Sequence, residues 1–302
     1  MEYTENALNI VTVRTTPQKG PAWINTNLRG HESVNDICQL LDISEYEFMK
    51  KRDNVKSTLA QHAESIDGFV AMGDSSFPFV RGRVKPADMP FALFYKGDIK
   101  LLHKDNLNVA VIGLLNPDEK IELTEALVTI ELLKKGATIV SGLALGCDSV
   151  AHRTALDNKG KTVAILPSTL SNILPKENEG LANRIVNQGG LLVSEYYDNP
   201  KSRNEMISRF VVRDRLQALF SDAVLLAASY GPNNQGNDSG SRHAMNKAAD
   251  YGIKRAVIYN ELKHENNPMY DLNRQIICDD RTVIRIDSTN MKNTICQLLE
   301  KS

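Results

Sequence analysis

The stretch ATIVSGLALGCDSVAHRTALDNKGKTVAILP, residues 137–167, decides how this chain is built. It opens on a β-branched apolar run, ATIVSG at 137–142, and closes on a second, TVAILP at 162–167. Between them a glycine-rich turn leads into a small-residue segment, with Asp148 at or near the N-cap ahead of Val150, Ala151, Ala155 and Leu156, and a stop at Gly160. That is strand, loop, helix, strand. Further runs of the same kind stand at 109–113 (VAVIG), 191–196 (LLVSEY), 223–229 (AVLLAAS) and 256–260 (AVIYN). Strands apolar on both faces and separated by helices require a parallel sheet covered on both sides, so the chain is α/β with a doubly wound sheet. The first crossover starts at Asp118-Glu119, carries Ala126, Leu127, Ile130, Leu132 and Leu133 at near-helical spacing, and stops at Gly136. TVIRI at 282–286 is expected to be a last strand and MKNTICQLLEK a C-terminal helix.

Working outward, residues 106–302 form the main α/β domain. Residues 66–105 alternate short apolar runs with Asp, Gly and Pro, and are expected to be strand and loop packed on that domain. Residues 21–65, with Trp23, Ile24, Leu28, Val34, Ile37, Leu40, Leu41, Phe48 and Val55, suit short helices that form a small helical domain. Residues 1–20 carry little apolar periodicity and are expected to be a flexible polar leader.

The 302 residues are 42% hydrophobic and 24% charged, the composition of an ordinary globular chain. No run reaches the length of a membrane span and no basic segment precedes an apolar one at the N-terminus, so a cytoplasmic location with no membrane contact is expected. The four cysteines, Cys38, Cys147, Cys278 and Cys296, show neither CxxC spacing nor a disulfide framework; buried free thiols are expected, with no metal and no cofactor. Net charge is −1, so any nucleic-acid site must be a local patch and not a diffuse positive field.

Ligands of doubly wound sheets bind in loops beyond the carboxyl ends of the strands. The loop of residues 141–146 sets Ser141, Gly142 and Gly146 between a strand and a helix start, the geometry of an anion cradle, although the same glycines also serve a plain tight turn. A second Gly/Asn/Ser-rich loop, 229–252, enters a helix through Ser239, Gly240, Ser241 and Arg242. A third segment holds Arg209, Arg213 and Arg215. Residues 213 and 215 project about 200° apart on a helix, so one reaches the cleft while the other ties the segment down, to Asp214 or Glu195. Phe210 is the nearest aromatic for stacking, though a core position suits it better.

Three motifs in order resemble the DprA/Smf family of DNA-processing proteins. SGxARGxDxxAHxxAL appears as SGLALGCDSVAHRTAL, with Leu145 for Arg. FPxRNRIIAGLS appears as FVVRDRLQALFS, with Val211 for Pro and Asp214 for Asn, and SGSxxTAxxA as SGSRHAMNKAA at 239–249. The resemblance spans about residues 20–290. It implies an extended Rossmann-like fold behind a small helical domain, homodimerisation, and non-catalytic binding of single-stranded DNA that is passed to a RecA-type recombinase. Ser141, Gly142 and Gly146 would border a phosphate pocket, Arg209, Arg213 and Arg215 would line it, and Ser239, Gly240, Ser241 and Arg242 would close it.

The departures weaken that pocket. Where the family has a Gly-Ser/Thr-Arg turn, this chain has Gly113-Leu114-Leu115-Asn116, and together with Leu145 and Asp214 this removes two positive charges and adds a negative one. Altered DNA binding is expected, and a divergent role as antitoxin or sensor in a toxin–antitoxin or anti-phage system is the alternative to DNA processing in transformation. A nucleotide-processing enzyme is a third reading. The PGGxGTxxE loop of nucleotide glycohydrolases is absent, and neither loop groups a nucleophile, a base and an orienting residue.

Overall fold

The computed structural model describes residues 1–232 and 240–300. Residues 1–20 are not a flexible leader. Thr4 caps α1 (Glu5–Arg14) by accepting from the Ala7 amide, and Ala7 through Val13 are all buried. Even the polar side chains are enclosed, Thr12 donating its hydroxyl to the Leu8 carbonyl at 2.7 Å. A helix covered on several sides shows no one-sided stripe in its sequence, which is why periodicity misses it. Three helices follow: α2 (Pro21–Asn27), α3 (Val34–Leu41), whose Ser33 and Asp36 form a capping box, and α4 (Glu45–Ala60), capped by Ser44. Arg52 of α4 pairs with Glu5, closing α4 onto α1.

The connecting region supplies two strands of the main sheet itself. β1 (Gly68–Ala71) pairs antiparallel with β2 (Ala92–Gly97), and β2 pairs antiparallel with β6 (Leu191–Ser194). Arg81, 5% exposed, anchors the intervening loop by bonding Asp222 and the carbonyls of Asn106 and Phe220.

The remaining strands are β3 (Asn108–Ile112), β4 (Thr138–Ser141), β5 (Thr162–Leu166), β7 (Ala223–Leu226), β8 (Lys254–Ile258) and β9 (Ile284–Ile286). They pair parallel, giving one sheet of order β1-β2-β6-β5-β4-β3-β7-β8-β9. The crossovers run through α5 (Glu119–Lys134), α6 (Cys147–Asp157), α7 (Glu179–Asn187), α8 (Arg203–Leu219) and α9 (Ser241–Tyr251). The short α10 (Glu261–His264) and α11 (Asp271–Asp279) precede β9, and α12 (Met291–Leu299) ends the described chain.

Side chains alternate across a strand, and here the alternation sorts them into two cores. Val163, Ile165, Leu191, Val193, Leu93 and Tyr95 face one, whereas Ala164, Leu166, Leu192, Ala92 and Phe94 face the other, where they meet Leu8, Val11, Phe48 and Leu59 of the N-terminal helices. The helical segment therefore shares a core with one sheet face. Among the described residues no helix is long and apolar enough to cross a membrane. All four cysteines are free; Cys38 and Cys147 are buried as expected, but Cys278 and Cys296 are exposed.

Candidate functional site

From β3 the chain winds outward through β4, β5 and β6, then returns through α8 to place β7 on the opposite side of β3. The crevice at the carboxyl ends of β3 and β7 is thus the topological switch point, where open α/β sheets hold ligands. A cavity of about 430 Å³ lies there. Its walls are Ile112 to Asn116 after β3, Ala144 and Asp148 from the glycine loop and α6, Phe210, Arg213, Asp214 and Gln217 of α8, Tyr230 after β7, and Gly240 with Ser241 at the start of α9.

The glycine loop holds its own anion. The carboxylate of Asp148 accepts from the amides of Gly142 (3.1 Å) and Ala144 (3.2 Å), the donors that an external phosphate would need. Asp148 therefore ties the loop and does not cap α6, whose N-cap is Gly146 at φ 71°. That residue must be glycine, because a Cβ would stand 2.2 Å from the Leu114 carbonyl oxygen. Ser141 is fully buried and donates to the Val111 carbonyl at 2.7 Å, facing the sheet. Asn178 stitches the loop from outside, donating to the carbonyls of Leu143 and Ala144 and to Ser149 Oγ. Ser141, Gly142 and Gly146 hence stand behind the cavity wall, which Ala144 and Asp148 of this segment form, and offer the cavity no donors.

The three arginines go to three places. Arg209 pairs with Glu205 and Asp198 and lies 4.0 Å over the Tyr196 ring, fastening the start of α8. Arg215 forms a two-pronged pair with Glu195, both contacts 2.7 Å, and donates to the Asp88 carbonyl. Only Arg213 lines the cavity. It passes over Gly142, where a Cβ would come within 1.6 Å of Nη1, and donates to the Ile165 carbonyl at 2.9 Å. Its Nε stands 3.2 Å from Asp214 Oδ1, close enough for an ion pair but off the hydrogen-bonding line. Phe210, expected to suit the core, is 36% exposed and borders the cavity instead. Gly240 and Ser241 line it too, Ser241 Oγ donating to the Gly113 carbonyl; Arg242 is half-buried on the first turn of α9, and Ser239 lies outside the described residues.

One guanidinium is flanked by two carboxylates. Burial raises Asp148 above the usual carboxylate range against the pull of Arg213 and the loop donors. Asp214 is pushed up to about 7, by burial first and by the nearby Asp148, with Arg213 opposing. His152 is fully enclosed against Thr162 Oγ1 at 2.7 Å, and burial with the field of Arg213 lowers it to about 3, so it stays neutral and holds α6 to β5. Cys147 is raised as well, burial and Glu125 being the causes, and its thiol stays protonated beneath Gly113.

The sequence profile described as DNA recombination-mediator protein A matches residues 68–279. The chain belongs to that family. Protein Smf of Borreliella burgdorferi is 33% identical over 165 residues, covering 53% of this chain and 48% of the relative; the chain spans about half the length of the curated relatives it matches. The X-ray structure of DNA processing protein A from Streptococcus pneumoniae is similar in fold, with a TM-score of 0.74 at 23% identity over 100% of both chains. DNA processing protein A from Helicobacter pylori, described for its single-stranded DNA binding mode, gives 0.58 at 29% identity, covering 76% of this chain and 95% of that one.

Leu115, on the cavity wall, and Leu145, outside it, are exposed apolar side chains, 60% and 41%, at the two positions where the resemblance led to the expectation of arginine. The turn Gly113–Asn116 is on the wall, where the sequence put it, whereas Gln217 and Tyr230 were not singled out. Gln217 alone had a usable signal, since it stands one helical turn beyond Asp214 on the same face.

Proposed function

We propose that this chain binds single-stranded DNA at the β3–β7 cavity and its rim, and performs no chemistry on it. The observation that carries the reading is the meeting of one guanidinium, Arg213, with two aromatic side chains, Phe210 and Tyr230, in a switch-point cavity. Binding without sequence readout combines cationic backbone contacts with ring faces on which bases stack. The Helicobacter pylori relative, described for its single-stranded DNA binding, supports it. So does the state of Ser241, whose hydroxyl is directed to a backbone carbonyl and not to a base. Because Arg209 and Arg215 are turned away from the cavity, the DNA-contacting set narrows to Arg213, Gly240 and Ser241 on its wall, with Phe210 and Tyr230 as stacking surfaces.

Fluorescence anisotropy with labelled oligonucleotides tests this. Single strands bind in preference to duplex, and Phe210→Ala weakens binding about tenfold, the order expected for losing one stacked base. Absence of any binding at low salt would sink the proposal. Delivery to a RecA-type recombinase and homodimerisation complete the family reading; a strand-exchange assay and light scattering test them.

A further inference from the structure

Asp214 is a buried acid that phosphate binding does not use. It is 5% exposed and lines the cavity. Asp148 is occupied by loop amides, but among the described residues Asp214 meets no donor other than Arg213, on Oδ1. Its Oδ2 lies beneath Gly240, 3.1 Å from where a Cβ would stand, so a side chain at 240 would crowd it. Gln217, 3% exposed, shares this wall, and its amide forms no hydrogen bond among the described residues. Ile112, Leu114, Phe210 and Tyr230 supply apolar and aromatic surface. A phosphate here would confront two carboxylates; a neutral flat ring would not.

We infer that the cavity takes a nucleobase of the bound strand and that Asp214 selects guanine. This rests on the single-stranded DNA reading and adds a base preference to it. Above about pH 7, where Asp214 has released its proton, its carboxylate only accepts hydrogen bonds. Guanine alone among the DNA bases presents two adjacent donors, N1–H and the N2 amino group, on its Watson–Crick edge. Adenine and cytosine set an amino group beside a ring-nitrogen acceptor, and thymine sets one N–H between two carbonyls. Each of these turns at least one acceptor toward the carboxylate and leaves a buried polar group unpaired. The Gln217 amide suits the guanine O6. Reading an extruded base by its edge between apolar and aromatic walls is a general recognition mode.

The experiment is anisotropy on the full chain at about pH 8, where Asp214 is ionised, with three labelled strands: oligothymidylate, the same strand with one central dG, and the same with one central deoxyinosine, which keeps N1–H but lacks the N2 amino group. The dG strand should bind about tenfold tighter than oligothymidylate, the size expected of a two-pronged base contact, with deoxyinosine between them. In Asp214→Asn, which keeps the shape of the side chain, the dG preference should vanish while oligothymidylate binding is kept or strengthened. Equal affinity for the three strands, or a dG preference that survives Asp214→Asn, overturns the inference and leaves DNA binding standing. If no strand binds, calorimetry with free GMP and IMP decides. Selective GMP binding keeps the guanine pocket and overturns the DNA reading, whereas binding of neither overturns both.

Discussion

Asp148 and Asp214 face the same guanidinium with different surroundings. Asp148 sits among amide donors that belong to its own loop, while Asp214 has Arg213 and little else. That contrast sets a pH dependence. The folded chain holds the Asp214 proton up to about 7, and the unfolded chain releases it near about 4. The folded state therefore binds more protons between these values, and stability falls as pH rises through that window, the full cost standing above about 7. Asp214→Asn removes the titration. Its melting temperature should exceed that of the wild type by several degrees at about pH 8, with the difference shrinking toward zero near about pH 4. Calorimetry at the two pH values measures this, and a pH-independent difference would assign the effect to packing.

At the scale of elements, α8 shows how one helix distributes three like charges. Arg209 and Arg215 hold it to the segment after β6, through Asp198 and Glu195, and the arginine between them is left to the cavity. The ion pairs position α8; Arg213 acts from it. α1 plays the matching part on the other sheet face, where Leu8, Ile10 and Val13 are fully buried beside Phe69 and Phe94. Leu8→Ala should cost about 2–5 kcal/mol, the range for emptying a buried leucine site, read as a lower urea midpoint at unchanged slope. A cost below about 0.5 kcal/mol would return residues 1–20 to the status of a dispensable leader.

At the scale of the whole molecule, charge and topology pull apart. The sheet order brings β3 and β7 together and creates the cavity, but the chain carries net charge −1 and the cavity one arginine against two carboxylates. If the chain binds single-stranded DNA as proposed, the exposed apolar Leu115 and Leu145 offer its phosphates no charge, and few counterions would be released. The log–log salt slope for single-stranded DNA should then be shallow, near about −2, since each phosphate contact contributes about −0.7. Titrations across salt concentrations measure it. Leu145→Arg should steepen the slope by about 0.7 and tighten binding at low salt. An unchanged slope in that variant would place the DNA path away from the glycine loop.

How much of this was legible beforehand follows from the range of each interaction. Strands such as 109–113 and 162–167, and crossovers ending at Gly136 and Gly160, declare themselves through contiguous apolar runs and local stop signals, so the doubly wound α/β class is a property of the sequence read in short windows. The family motifs likewise stand in consecutive residues. What lies outside such windows was decided by tertiary structure. α1 escaped because burial on several sides erases periodicity, and β1 and β2, expected as strand packed on the main domain, were not placed in its sheet because joining the sheet edge depends on a partner, β6, about a hundred residues away. The glycine loop looked like a cradle for an external anion, and only the fold shows Asp148 filling it. Which arginine faces the cavity depended on where Glu195, Asp198 and Glu205 fall in space. Local spacing determines which elements form; the pairing of charges across distant segments, and with it the chemistry of the cavity, is set only when the sheet order brings those segments together.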